Sequence, residues 1–172
     1  MYVINVKFRD VFEVSLGECL DEIGVYVLWS DGAHAKPSYL GEGNLVARIG
    51  THMQDEGKPF HHTKGLAGVA AILAPDRTIV RRKCDAQIVE YTLLWVAEMI
   101  GVPPLHNRSK GRFAAVAKRA DQHDTIRINV TGRHPLRLGT TLSQAARLTW
   151  RWSPSDGEDD WELEFPWRRA AR

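Results

Sequence analysis

The stretch "CDAQIVEYTLLWVAEMIG", residues 84–101, constrains the fold most. Good helix formers fill it, Asp85 stands where an N-cap is expected, and Gly101 followed by Pro103–Pro104 ends it. In its middle, "AQIVEYTLLWV" is apolar except for one acid, Glu90. A carboxylate there is costly to bury unless it is paired or holds a cation.

The segments around this helix read as short strands and turns. "YVINVKF" near the N-terminus alternates apolar and polar residues as a half-buried strand does. "SLGECLDEIG" predicts a short amphipathic helix with Leu16, Leu20 and Ile23 inward. "VYVLW" is a buried strand by its β-branched and aromatic content, "SDGAHAKP" a turn, and "SYLG" the returning arm of a hairpin. Asn44 suits an N-cap, followed by an apolar stripe at Leu45, Ile49 and Met53. "LAGVAAILAP" is bounded by Gly65 and Pro75 as a buried strand. Further on come a basic helix, "FAAVAKRA", and two strands, "TIRINV" and "HPLRL"; "SQAARLTWRW" fits helix or strand equally. Near the C-terminus, Trp150 and Trp152 alternate with Arg151, while Trp161, Leu163 and Phe165 alternate with Glu162 and Glu164. Pairing these runs puts aromatics on one face and Arg against Glu on the other, with "SPSDGEDD" as the loop.

The charge is unevenly distributed. A net +2 divides into −3 over residues 1–64, +8 over 65–153 and −3 over 154–172. A basic middle between acidic ends points to a polyanion as partner. No window is apolar enough to predict a membrane helix, and the N-terminus has neither the basic nor the apolar region of a secretory signal. Cys19 and Cys84 show neither metal-ligand spacing nor a disulfide pattern, so a reduced cytoplasmic setting is expected.

Several polar groups fall in or beside the best-formed elements. Tyr26 lies in the first arm of the hairpin and Tyr39 in the second. Arg48 and His52 are four apart and hence neighbours on one helix face. Singly, each suits an ordinary structural role: a core tyrosine with its hydroxyl at the rim, a solvated Arg–His pair, an exposed glutamate. Together with Glu90 they supply what phosphodiester cleavage needs. A carboxylate holds a divalent metal, an arginine offsets charge on the phosphorane, and phenols or an imidazole position and deprotonate water.

The order and spacing resemble the GIY-YIG endonuclease family. "GVY" at 24–26 and "YLG" at 39–41 match its two tripeptides, each with one aliphatic exchange at Val25 or Leu40. Arg48 follows in the next helix, Glu90 in a later one, and Asn107 beyond that, so the likeness covers residues 24 to about 110. It implies a metal-dependent endonuclease hydrolysing DNA by a single-metal mechanism, with RNA not excluded. Glu90 would be the sole protein ligand of Mg²⁺ or Mn²⁺. Arg48 would contact the scissile phosphate, and Tyr26 and Tyr39 would hold the attacking water. His52 matches a position where the family often has a histidine, a second base or phosphate contact, and Asn107 would brace the site.

The resemblance also implies an α/β (α+β) domain built on a small three-stranded antiparallel sheet flanked by helices. The strands would fall near 25–29, 38–41 and 66–73, in a nuclease domain over residues 1–120 with a β-rich extension over 121–172. In "HNRSKGRFAAVAKR", Arg108, Lys110, Arg112, Lys118 and Arg119 are expected along a nucleic-acid backbone, with Gly111 permitting close approach. Glu42 is unusual in a phosphate-facing turn, and His61–His62 receive no role. The rival reading keeps the scaffold as an inactive nucleic-acid-binding domain.

Overall fold

A computed structural model describes residues 1–11, 22–29, 36–54, 67–74, 76–107, 116, 122–155 and 158–167. The helices expected near 15–24 and 113–120, the turn at 30–35 and the pair His61–His62 lie wholly or largely outside the described residues. Seven strands are seen: β1 (Tyr2–Asp10), β2 (Ile23–Trp29), β3 (Tyr39–Asn44), β4 (Ala67–Ile72), β5 (Thr125–Gly132), β6 (Ala146–Ser155) and β7 (Glu158–Glu164). Two helices are described in full beside them, α1 (Leu45–Gln54) and α2 (Ile79–Met99). No helix among the described residues is long and apolar enough to cross a membrane.

The mixed α/β class stands, but the sheet is not a small three-stranded one. It has seven strands in the order β3-β2-β4-β1-β5-β6-β7. The expected trio is its first part, with β2 antiparallel to both β3 and β4. It grows because the outer edge of β4 is taken. The end of β1 pairs there, Arg9 with Ala70 and Asp10 with Val69. The rest of β1 runs parallel to β5 over seven residue pairs, Tyr2↔Ile126 to Phe8↔Gly132. β5, β6 and β7 then continue as an antiparallel meander.

The C-terminal hairpin has the expected register. Trp150 faces Leu163, Trp152 faces Trp161, and Arg151 faces Glu162. The strands extend to Ser155 and Glu158, so the loop is shorter than the composition suggested. "HPLRL" is not a strand: residues 133–141 turn back on themselves, joined by a single Arg133↔Thr141 bridge. Pro135 has no amide hydrogen to give a ladder, and Gly139 takes φ +75°, a turn conformation.

The two faces of the sheet differ. One carries the main core, where Ile4, Val6, Phe8, Val25, Val27 and Leu40 meet α2. The other buries a smaller group of Tyr26, Leu28, Ala70, Leu45 and Ile49 beneath α1. α2 begins earlier than its apolar run suggested. Thr78 is the N-cap, accepting from the Arg81 amide, and Asp85 lies inside the helix as a buried group. Its carboxylate bonds the Tyr2 hydroxyl at 2.6 Å and Arg77 at 2.5 Å, pinning the first turns of α2 to β1.

Candidate active site

The site forms where the β2–β3 ladder meets α1. Tyr26 stands opposite Gly41, and Tyr39 opposite Leu28, so both phenols lie on the α1 face. Glycine is required at 41 because a Cβ there would sit 2.6 Å from the Tyr26 hydroxyl and 2.7 Å from the Tyr39 ring. With hydrogen alone at that position, the two rings stack with centroids 6.0 Å apart.

The chain then turns sharply into α1. Gly43 adopts φ +128°, and a Cβ there would be 3.4 Å from the Arg48 side chain, so Arg48 lies against the Gly43 backbone. Asn44 caps the helix as expected, its Oδ1 accepting from the Ala47 amide at 3.0 Å. One turn after the exposed Arg48, His52 points inward and is buried. Its Nε2 is 2.9 Å from the Tyr26 hydroxyl, and its ring is 4.4 Å from that of Tyr39.

Asn107 acts on the backbone. Its Oδ1 accepts from the Leu40 amide at 2.9 Å and its Nδ2 donates to the Leu40 carbonyl at 2.7 Å. Just before it, the Leu105 and His106 amides donate to the Pro37 and Ser38 carbonyls, each at 3.0 Å. Residues 105–107 therefore line the otherwise open edge of β3 and fix Tyr39 in line with Tyr26.

Electrostatics tie Glu90 to this group. Burial raises the Tyr26 pKa most; the negative potentials of Tyr39, Glu90 and Glu42 raise it too, and Arg48 opposes them. Burial also leads for Tyr39, followed by Glu90, which raises it, and Arg48, which lowers it. Both phenols thus feel the partly buried carboxylate from α2 and the guanidinium from α1, and both remain protonated at neutral pH. Comparison with family models, curated proteins and solved structures returned no match.

The structure brings Tyr26, Tyr39 and His52 into contact, sets Arg48 one turn before His52 on α1, and places Glu90 on α2 where its charge raises both phenols, with Asn107 bonded to Leu40 beside Tyr39. Arg108, Lys110, Arg112, Lys118 and Arg119, together with Gly111, lie outside the described residues. What the sequence reading left out is a groove of about 730 Å³ beside Arg48. Glu42 lines it, along with Lys83 and Gln87 from the start of α2. The signal was present as Ile79, Lys83 and Gln87, spaced four apart to share one helix face. Among the described residues, no three His, Cys, Asp or Glu converge as a metal cluster. Two carboxylates act on the phenols, Glu90 and Glu42, and a site with so few acidic donors suits a hard cation that keeps most of its waters.

Proposed function

We propose that this chain is a metal-dependent endonuclease of the GIY-YIG type, hydrolysing phosphodiester bonds of DNA. The observation carrying this reading is the contact of two phenols and an imidazole from β2, β3 and α1, under the charge of Arg48 from α1 and of Glu90 from α2.

Each group has a chemical part in this reading. Tyr26 holds the attacking water, but its raised pKa makes it a poor base alone. His52 Nε2, at hydrogen-bond distance, accepts the phenol proton as the phenol takes one from the water. Tyr39 orients that water from the neighbouring strand. Arg48, on the groove side, offsets charge developing on the phosphoryl oxygens. Glu90 is the residue that would hold Mg²⁺ or Mn²⁺, which when bound polarises the phosphate. Asn107 is a positioning residue, acting through Leu40 and Tyr39.

A nicking assay tests the proposal, using supercoiled plasmid and labelled single- and double-stranded DNA and RNA, with Mg²⁺ or with a chelator. The expected result is cleavage that needs the cation and is lost in Glu90→Gln. Cleavage by Glu90→Gln at the wild-type rate would remove the site assignment. Binding without cleavage of any substrate would favour the inactive binding domain.

A further inference from the structure

Strand register carries the site face far beyond the site. Tyr26 stands opposite Ala70 of β4, and Ala70 opposite Arg9 of β1. Directly paired residues share a face of the sheet, so Arg9 is on the same face as the two phenols. Alternation along β1 adds Lys7 and Asn5, both exposed, while Ile4, Val6 and Phe8 are buried on the reverse. The parallel register sets Asn129 beside Asn5, Thr131 beside Lys7 and Arg127 beside Val3. From β6, Arg147 lies opposite Asn129 and Arg151 opposite Thr125.

On β1, β5 and β6 this face carries only basic charge, and β7 at its margin adds Glu162 and Glu164. Among the described residues, β1, β4, β5 and β6 present no acidic side chain on it. Stability favours the opposite arrangement, since like charges on neighbouring strands repel and mixed pairs attract. The β6–β7 margin has that mixture: Arg151 faces Glu162 and bonds Glu164 at 3.1 Å. Closer to the site, Lys7, Arg9, Arg127 and Arg147 have no ion-pair partner among the described residues. Arg127 Nε is buried without a hydrogen-bond partner. The exposed cations Lys7, Arg9 and Arg147, with no acidic side chain on their own strands on this face, complement a row of phosphates.

The scale fits. At about 4.8 Å between strands, β1 lies roughly 10 Å from the Tyr26 strand and β6 roughly 19 Å. One strand of a duplex places a phosphate about every 3.4 Å along the axis. With the four-residue offset between Arg9 and Asn5 along β1 included, Arg147 lies roughly 23 Å away, so the face spans about three to seven nucleotide steps to one side of the phenols.

We propose that the outward face of β1, β5 and β6, exposed at Lys7, Arg9 and Arg147, is a nucleic-acid backbone platform that holds the substrate flank while the phosphate to be cut lies at Tyr26 and Tyr39. The identity of the polyanion rests on the nuclease reading; the surface itself does not.

Fluorescence anisotropy on the full chain tests it, with a labelled duplex and a labelled single strand at ~50 and ~200 mM salt. Lys7→Glu combined with Arg147→Glu is expected to bind about tenfold or more weakly. Its slope of log affinity against log salt is expected to be shallower by about two. Lys7→Gln with Arg147→Gln should lose less, Lys7→Arg with Arg147→Lys should bind as wild type, and circular dichroism melting should be unchanged in all three. Unchanged affinity and slope in both the Glu and Gln pairs overturns the platform, whether or not the wild type cleaves. Wild type that binds with this dependence yet cuts nothing supports the platform and overturns only the nuclease reading. Binding to vesicles of anionic phospholipid but to neither oligonucleotide overturns it in favour of a lipid surface.

Discussion

The Tyr26 hydroxyl and His52 Nε2 lie 2.9 Å apart, joining the middle strand of the β3–β2–β4 trio to the last turns of α1. A phenol whose pKa is pushed up by burial releases a proton readily only if a neighbour takes it at once. Tyr26→Phe and His52→Ala should therefore each slow hydrolysis by about 10²–10⁴-fold. Groups acting as one unit are far from additive, so the double variant should be about as slow as either single one. Single-turnover rates on one labelled substrate decide this; multiplicative losses would mean that the two side chains act separately.

The same burial makes stability depend on alkaline pH. Tyr26 and Tyr39 both titrate above the ordinary 10.0 in the folded chain. A group with a raised folded pKa contributes fully below its unfolded pKa and loses that contribution as pH rises through the folded value. Denaturant midpoints should hold up to about pH 10, then fall as the unfolded phenols ionise and the folded ones do not. Tyr26→Phe should flatten the fall between pH ~10 and ~11.5 compared with wild type.

Much of this site was legible because its parts are local. The β2–β3 hairpin, the Asn44 cap and the four-residue step from Arg48 to His52 each declare themselves within a few residues. The sheet did not, because β1 and β5 are over a hundred residues apart and nothing local tells a strand which neighbour it will have. Residues 78–83 hid the start of α2: Thr78 is a good cap, but Arg81, Arg82 and Lys83 oppose the helix dipole, so Asp85 looked the better start. Asp85 is instead held by Tyr2, a contact that only the β1 docking creates.

Gly41 offers a strong steric test. A methyl group 2.6 Å from the Tyr26 hydroxyl and 2.7 Å from the Tyr39 ring must displace at least one of the two side chains. Gly41→Ala should cost about 1–3 kcal/mol of stability and separate Tyr26 from His52. Urea denaturation reads the first effect. Cleavage reads the second, with a loss as large as that of Tyr26→Phe.

Asn107 should reveal itself through one amide. Asn107→Ala leaves the Leu40 N–H and C=O without the side chain that satisfies them, at a cost of roughly 1–3 kcal/mol. Hydrogen exchange at the Leu40 amide should quicken in step with that loss. Asn107→Asp keeps the acceptor for that amide but sets a carboxylate oxygen against the Leu40 carbonyl, so it should rescue only in part. Exchange at wild-type rates in Asn107→Ala would mean that residues 105–106 hold the edge alone.

Asp85 separates stability from chemistry. Its buried carboxylate joins Arg77 and Tyr2, and burial, followed by this hydrogen bond, raises the Tyr2 pKa. Asp85→Ala strands the Arg77 charge and the Tyr2 hydroxyl. Removing one partner of a buried pair costs about 3–5 kcal/mol, and the lower end applies here because Arg77 is 26% exposed and water can reach it. Asp85→Asn keeps an acceptor for Tyr2 and should lose less. Because the pair fastens α2 to β1 away from the phenols, both variants should keep the wild-type cleavage rate per folded molecule at low temperature while melting earlier. A rate that fell in the folded variants would mean that the docking of α2 on β1 sets the position of Glu90.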